Sequence, residues 1–512
     1  MTGSSYECRK LSSSPTVRDI RCQQRRRAFA SDARGRRRVR AVFRRFTSVV
    51  LSFAISRAAG DGAPVHAADW SLTQAAKPYR GETIRCVGDG YAPFVAYQKL
   101  AQEFTRLTGI DVEWEVADLG AMRQKMVADV MNNTGVYDCD EVTSLDVGLW
   151  VARGFVVPVF KFLDDPKLRD PRLDPWTVYV PETLAFSSMS GGKIYGLPYH
   201  FIPRFMVVRE DIASCGAEQA AFKVRYGYEL PLKPADWKRF HDVVEFFTRK
   251  AGQSLCGKAL AENFYGTAVS FKRHIATQYD FEAFLNGFGG VMFDGDGPLK
   301  NAKGFTGSDH VAFDSPAGVQ ALTYWLSLLK YVPPGYLEYT WDNTFSDMCK
   351  GTLYTYATYG DTTPYLEDGT SAGCPAVSGK LAYYPVPGTH QTGAEGQTWI
   401  IPTSSEHPQA TFLFLQWLAS AEVQRRCQTM GCTSPERDAW YGAELDHEDR
   451  TQVTREIIER NYLIARAHPP ALTKISALLI DDLQAAALGK MSPADALKDA
   501  AEKSREAMHA HH

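Results

Sequence analysis

A chain of 512 residues, 45% of them hydrophobic, has ample length for a buried core and exceeds the usual size of one compact unit, so two lobes are expected. Basic and acidic residues nearly balance, at 57 against 59, and the basic excess gathers at the extreme N-terminus. The remainder therefore carries no field of the kind that draws nucleic acid or an anionic membrane, and the expected partner is a small solute or another protein.

Residues 1–68 read as a basic N-terminus and export signal. Arginine runs at Arg25 to Arg27, Arg36 to Arg38, and Arg44 with Arg45 precede the apolar stretch Thr47 to Ile55. Val65-His66-Ala67-Ala68 follows as a small-residue cleavage signature. A disordered basic tail is the alternative, and Arg26-Arg27-Ala28-Phe29 leaves a twin-arginine route open. The apolar stretch is too short to span a bilayer, and no later segment is long and apolar enough. The mature protein is expected to be soluble and periplasmic. No cysteine lies just after the apolar stretch, so no lipid anchor is expected.

Beyond residue 68 the hydrophobic period switches between two and three-to-four, the pattern of an α/β protein. Thr83 to Val87 reads as a first strand ending at Gly88-Asp89-Gly90. A helix follows with Leu100, Phe104 and Leu107 on one face, closed by Gly109. Val112, Trp114 and Val116 alternate as a second strand. A helix from Leu119 to Met131, a strand from Tyr137 to Val142 and a helix from Asp146 to Arg153 complete a run of βαβ units, so ligands are expected at the C-terminal ends of parallel strands.

Of ten cysteines, Cys8 and Cys22 precede the cleavage signature; Cys86, Cys139, Cys215, Cys256, Cys349, Cys374, Cys427 and Cys432 follow it. An even number suits a compartment where disulfides persist, and no clustered zinc spacing appears. Cys86 with Cys139 is the expected bridge, because the two fall in neighbouring predicted strands; buried thiols are the alternative. In mid-chain, Trp237, Phe240, Val244 and Phe247 form one helical stripe. Val319, Leu322, Leu326 and Leu329 form another, behind the cap Ser315 and first-turn Pro316. Asp294-Gly295-Asp296-Gly297 lacks the terminal Glu of a calcium loop and is read as a hairpin turn.

Several segments then carry a family resemblance. Gly192-Lys193-Ile194-Tyr195-Gly196-Leu197-Pro198-Tyr199, Pro234-Ala235-Asp236-Trp237 and Phe313-Asp314-Ser315-Pro316 come first. Phe345 to Thr352, Pro385-Val386-Pro387-Gly388, Trp399-Ile400-Ile401-Pro402, His407-Pro408 and Gly431 to Arg437 follow in order. Together these make the chain resemble the family 1 extracellular solute-binding proteins, the sugar-binding receptors of bacterial ABC importers.

The resemblance implies a periplasmic-binding-protein-like (type II) α/β fold, with two Rossmann-like lobes joined by a three-segment hinge. The crossings fall near Tyr195 to Phe205, Leu381 to Pro385 and Arg437 to Tyr441. The N-terminal lobe is then 69–195 with 385–437, and the C-terminal lobe 196–384 with 438–512. The implied function is capture of a sugar or polyol in the inter-lobe cleft and delivery to the permease subunits, by a monomer with no cofactor or metal and no catalysis.

A sugar packs its C–H faces on aromatic rings and exchanges hydrogen bonds through its hydroxyls. The expected binding residues are therefore Asp89 and Tyr91 after the first strand, Thr143 and Ser144 after the third, and Tyr199 and His200 at the first crossing. Trp341 with Asp342, Tyr359 with Asp361, and Trp399 and Arg437 lie in segments that face the cleft in the family. For each, a core, cap or turn role is the competing reading. The chain departs from the family at Glu395-Gly396-Gln397, where "G-G-W" is usual, with Trp399 two places later. Trp399 is expected to serve as the displaced aromatic platform, so that Trp399→Ala weakens binding but not stability. An exported carbohydrate hydrolase is the alternative class, needing a carboxylate pair across a cleft. A receptor presenting its ligand to a chemotaxis or sensor protein is another. No G-x-S-x-G, His-Glu-x-x-His, P-loop or dinucleotide motif appears.

Overall fold

The computed structural model describes residues 70–90 and 92–509; the export-signal reading and Tyr91 lie outside them. The alternating run at Thr83 opens a parallel sheet. β1 (Thr83–Gly88) lies between β2 (Asp111–Val116) and β3 (Cys139–Thr143), both parallel to it. Between β1 and β2 the helix Ala92–Thr108 buries Phe94, Leu100 and Phe104 against the sheet. Leu107, expected on that face, is 41% exposed, because the helix ends one residue later and its last turn runs past the packed layer. Gly109 then takes φ 74°, the left-handed conformation that a helix C-terminal glycine adopts without Cβ strain.

The chain leaves this sheet along one unusually long strand. β4 (Leu197–Arg209) pairs through its first half with β7 (Thr392–Ile400), antiparallel. Its second half pairs with β5 (Thr355–Tyr359) and β6 (Leu381–Tyr384), also antiparallel. β7 closes against β3, and the short β8 (Leu463–Ile464) joins the start of β7, giving the order β6-β4-β7-β3-β1-β2. A single strand thus links two packed regions.

One core gathers Ile84, Phe104, Leu184, Phe414 and Cys427; the other gathers Phe240, Phe247, Phe281, Trp325, Leu479 and Leu497. Each such side chain contributes roughly 1.5–3 kcal/mol by leaving water. The C-terminal helices Leu472–Ala487 and Pro493–His509 pack onto the second core, and Arg505 pairs with Asp314 at 2.9 Å. The terminal helix therefore returns to the region formed mid-chain.

Local signals set the helix starts. Asp236 Oδ1 accepts from the Arg239 N–H at 2.8 Å and caps Trp237–Phe247, while Ser315 Oγ accepts from Gly318 N–H ahead of Pro316. The parallel register sets Cys86 opposite Cys139, and the two are bridged. Cys349–Cys374 and Cys427–Cys432 are also disulfides. Asp294-Gly295 forms a turn, but not a hairpin. Its flanks pair elsewhere, Phe293 with Val311 and Gly297 with Ala465, because the Asp296 carboxylate accepts N–H groups from both Phe293 and Ala467.

Candidate functional site

The antiparallel register of β4 and β7 sets His200 opposite Gln397 and Ile202 opposite Glu395. His200, Arg204, Glu395 and Gln397 thereby share one face. His200 Nδ1 lies 2.8 Å from Gln397 Oε1, which also accepts from the Tyr199 hydroxyl at 3.3 Å. The helix Ile275–Gly287 crosses this face. It is buried from Ala276 to Gly287, yet carries Gln278, Tyr279, Asp280 and Glu282. Polar groups so deep in an apolar layer persist only when they are paired or used.

Most are paired, and the pairing leaves specific atoms over. Arg204 donates from Nη2 to Asp280 Oδ1 at 2.6 Å and lies 4.2 Å over the Tyr359 ring. Arg466 pairs with Glu282 and lies over the Phe186 ring at 4.6 Å. Among the described residues, Arg204 Nε and Nη1, Arg466 Nε and Nη2, the Tyr359 hydroxyl and Asp361 Oδ1 have no hydrogen-bond partner. Asp361 Oδ2 is 3.9 Å from His200 Nε2. Trp341 packs edge to face with Tyr359 at 6.0 Å and with His274 at 4.6 Å. The arrangement offers guanidinium donors, carboxylate acceptors, hydroxyls and rings, so it can hold a polyhydroxylated molecule through matched hydrogen bonds.

Burial sets the protonation states. Glu395 is pushed up to about 8, first by desolvation and then by Glu282 and Asp361, with Arg204 and Arg466 opposing. Asp361 is raised by burial against the pull of His200, and His200 is lowered by burial against Asp361. Asp296 and Glu436 are likewise pushed up to about 8, chiefly by desolvation. Unfolding returns these carboxyls to ordinary acidity, so between pH 4.5 and 8 the folded form holds protons that the unfolded form has lost. Stability falls as pH rises through that window. His200 and His468, both lowered by burial, oppose this trend while their unfolded forms lose protons around pH 6.5, and the more numerous carboxyls outweigh them up to pH 8. The free protein should melt at a lower temperature at pH 8 than at pH 6.5. Glu395→Gln should remove ~2 kcal/mol of that loss, at about 1.4 kcal/mol per pH unit for one group. Equal slopes of Tm against pH in the two proteins would show that Glu395 ionises normally.

The structure brings six of the expected residues into this cluster: Ser144, bonded to Tyr279, together with Tyr199, His200, Trp341, Tyr359 and Asp361. Asp89 is half-buried and its N–H donates to Glu141 Oε2 at 2.9 Å, apart from these residues. Thr143 is engaged instead in a helix-start network, donating to Asp146 and accepting from Arg123. Asp342 and Arg437 are exposed. Arg437 begins the short turn Asp438–Tyr441, which holds its backbone and sends its side chain outward. Trp399 is 1% exposed and packed among Phe94, Trp114 and Tyr199, so the expected platform is a core residue.

Arg204, Asp280, Glu282, Glu395, Gln397 and Arg466 were not among the expected residues. The available signal was a charge inside an otherwise apolar element: Arg204 in Leu197–Arg209, and Asp280 with Glu282 in Ile275–Gly287. Two groups among the described residues have metal-ligating types together, Cys215–Glu218–Cys256 and His241–Asp242–Glu245. Neither belongs to the cluster. In the second, Asp242 is already bonded to Lys238 and Tyr228, and Glu245 to Arg225 and Tyr226.

Comparison with known proteins places these features in context. Residues 89–425 match the profile of the bacterial extracellular solute-binding proteins. The chain is 22% identical over 362 residues to an erythritol/L-threitol-binding protein of Mycolicibacterium smegmatis, covering 68% of each chain. It is 23% identical over 363 residues to a probable amino-acid ABC transporter periplasmic-binding protein of Sinorhizobium fredii, covering 69% of this chain and 73% of that one. The fold matches an ABC transporter solute-binding protein of Agrobacterium radiobacter K84 solved with ribitol, at TM-score 0.65 and 22% identity, over 84% of this chain and all of the other. The two-lobed type II binding-protein fold expected from the sequence is thus the fold observed.

Proposed function

The chain belongs to the bacterial extracellular solute-binding protein family, whose members are receptors and not enzymes, and from that premise we propose that its buried polar cluster captures a sugar or polyol for an ABC importer. The observation that carries this reading is the set of donors and acceptors left over around Arg204, Arg466, Tyr359 and Asp361. Each arginine already has a carboxylate partner, Asp280 or Glu282, so neither guanidinium is left as a free cation for an anion, which suits a neutral solute rich in hydroxyls. The names of the related proteins, which include polyol binders, support the same class.

On this reading the lobes meet around β4, β6 and β8, and their closure brings the helix Ile275–Gly287 down on the solute held at the ends of β3 and β7. The expected lobe boundaries, 69–195 with 385–437 and 196–384 with 438–512, belong to the same proposal. So do a periplasmic location, a monomeric state and delivery to the permease subunits. Among the described residues no helix is long and apolar enough to cross a membrane, which fits a receptor that moves freely to its permease.

A thermal-shift and calorimetric panel of alditols, aldoses, disaccharides and amino acids tests the assignment. A saturating polyol or sugar should stabilise the protein by about 2.7 kcal/mol at a hundredfold excess over Kd, and be recovered unchanged. A response confined to amino acids would replace the solute class. Conversion of the carbohydrate would favour the hydrolase.

A further inference from the structure

Cys215 and Cys256 are the two described cysteines outside the three disulfides. They come from separate elements. Cys215 immediately precedes the helix Gly216–Tyr226, and Cys256 stands at the tip of the hairpin between Ser254–Leu255 and Lys258–Ala259, with φ 50°. Their sulfurs and one carboxylate oxygen of Glu218 lie within 4.8 Å of one another, and both cysteines are half-buried.

A metal site fits this group poorly. Glu218 Oε1 accepts from Arg249 Nη1 at 3.0 Å and from the Cys256 N–H at 2.8 Å, and Oε2 takes the other Arg249 nitrogen. The carboxylate is therefore fully engaged by a fixed cation. Two thiols remain, short of the four ligands that a soft metal takes, and beside a positive charge. Two sulfurs at this separation on half-buried positions instead suit a covalent cross-link.

We propose that Cys215 and Cys256 form a dithiol site that closes to a fourth disulfide by exchange with a protein or low-molecular-weight disulfide. The Cys256 thiol is pushed up to about 12 by burial and by its hydrogen bond to Cys215, so it keeps its proton while Cys215 attacks. The Cys215 thiolate bonds to one sulfur of R–S–S–R, whose S–S bond breaks and releases RS⁻ with the bonding pair. Cys256 gives its proton to that RS⁻ and attacks the Cys215 sulfur, and the second RS⁻ leaves and takes up the proton that Cys215 first lost. Two cysteine thiols are oxidised, and one external disulfide is reduced to two thiols. The new bond ties the start of a helix to a hairpin tip and closes a long loop of chain between them.

The full-length protein, incubated with oxidised glutathione, alkylated with iodoacetamide and digested without reduction, tests this site. The expected product is one peptide pair joined through Cys215 and Cys256, lighter by two hydrogens than the separate thiol peptides and free of alkylation. Alkylation of both cysteines after that treatment overturns the proposal. So does bound Zn²⁺ at one equivalent that blocks alkylation until a chelator removes it. Cys215→Ser should leave the Cys256 peptide joined to no other cysteine of the chain and open to alkylation, in a protein with unchanged circular dichroism; a Cys256 peptide bridged to another cysteine of the chain in that variant would also overturn the proposal.

Discussion

Trp399→Ala should lower the free energy of unfolding by about 3–5 kcal/mol and the Tm by roughly 3–5 °C. The indole is 1% exposed on the interior strand β7, 4.7 Å from the Tyr199 ring, 6.0 Å from Phe94 and 6.1 Å from Trp114. Its Nε1 has no acceptor among the described residues, so the loss is almost wholly of packing rather than of a hydrogen bond. Alanine keeps the backbone ladder but opens a void that three rigid rings cannot collapse to fill. Trp399→Phe should cost much less, since it keeps a ring against Tyr199. Below the transition, solute affinity should fall less than about tenfold, through a loosened Tyr199 rather than a lost contact. A variant with wild-type Tm and abolished binding would return Trp399 to the site.

The displacement of this tryptophan shows what the sequence could and could not convey. Side chains two residues apart on a strand share a face, so moving the aromatic from position 397 to position 399 keeps its direction and carries it about 7 Å along the strand. That step takes it from beside His200 into the core that Phe94 and Trp114 form. The residues left at the site end of β7, Glu395 and Gln397, are polar.

Periodicity and caps made the βαβ run, the Asp236 and Ser315 helix starts and the Cys86–Cys139 pairing legible, because each depends on neighbours close in sequence or on adjacent strands. Ser144, just past the end of β3, follows from the same local pattern, whereas Tyr199 and His200, inside β4, were singled out by the family resemblance at the first crossing. Arg204 with Asp280, 76 positions apart, and Arg466 with Glu282, 184 apart, were not. Local pattern says that such charges are costly inside an apolar element, but only the fold supplies the partner. Arg437 differs in another way: the family position suggests the cleft, and here the side chain is exposed at the head of the short turn Asp438–Tyr441.

Arg204→Lys should weaken solute binding about 100-fold while retaining most of the stability. Arg204 is 1% exposed, and its guanidinium divides its work. Nη2 serves the protein, at 2.6 Å from Asp280 Oδ1 and 3.3 Å from the Ala357 carbonyl, while Nε and Nη1 have no acceptor among the described residues. Lysine keeps a positive charge for Asp280 but has no planar fork, so it cannot present the second pair of donors. Hydrogen bonds from a charged donor contribute about 1.5–3 kcal/mol each, and losing roughly 3 kcal/mol in total corresponds to the stated factor. Arg204→Met separates the two roles. It leaves Asp280 buried without its partner, which should cost about 3–5 kcal/mol of stability in addition to the loss of binding. Calorimetric titration with the solute identified in the panel, beside thermal unfolding of each free variant, reads both effects. If Arg204→Lys binds with wild-type affinity, Arg204 is only a strut for Asp280 and Tyr359, and the solute lies elsewhere in the fold. If it loses affinity without losing stability, the free edge of the guanidinium faces the solute.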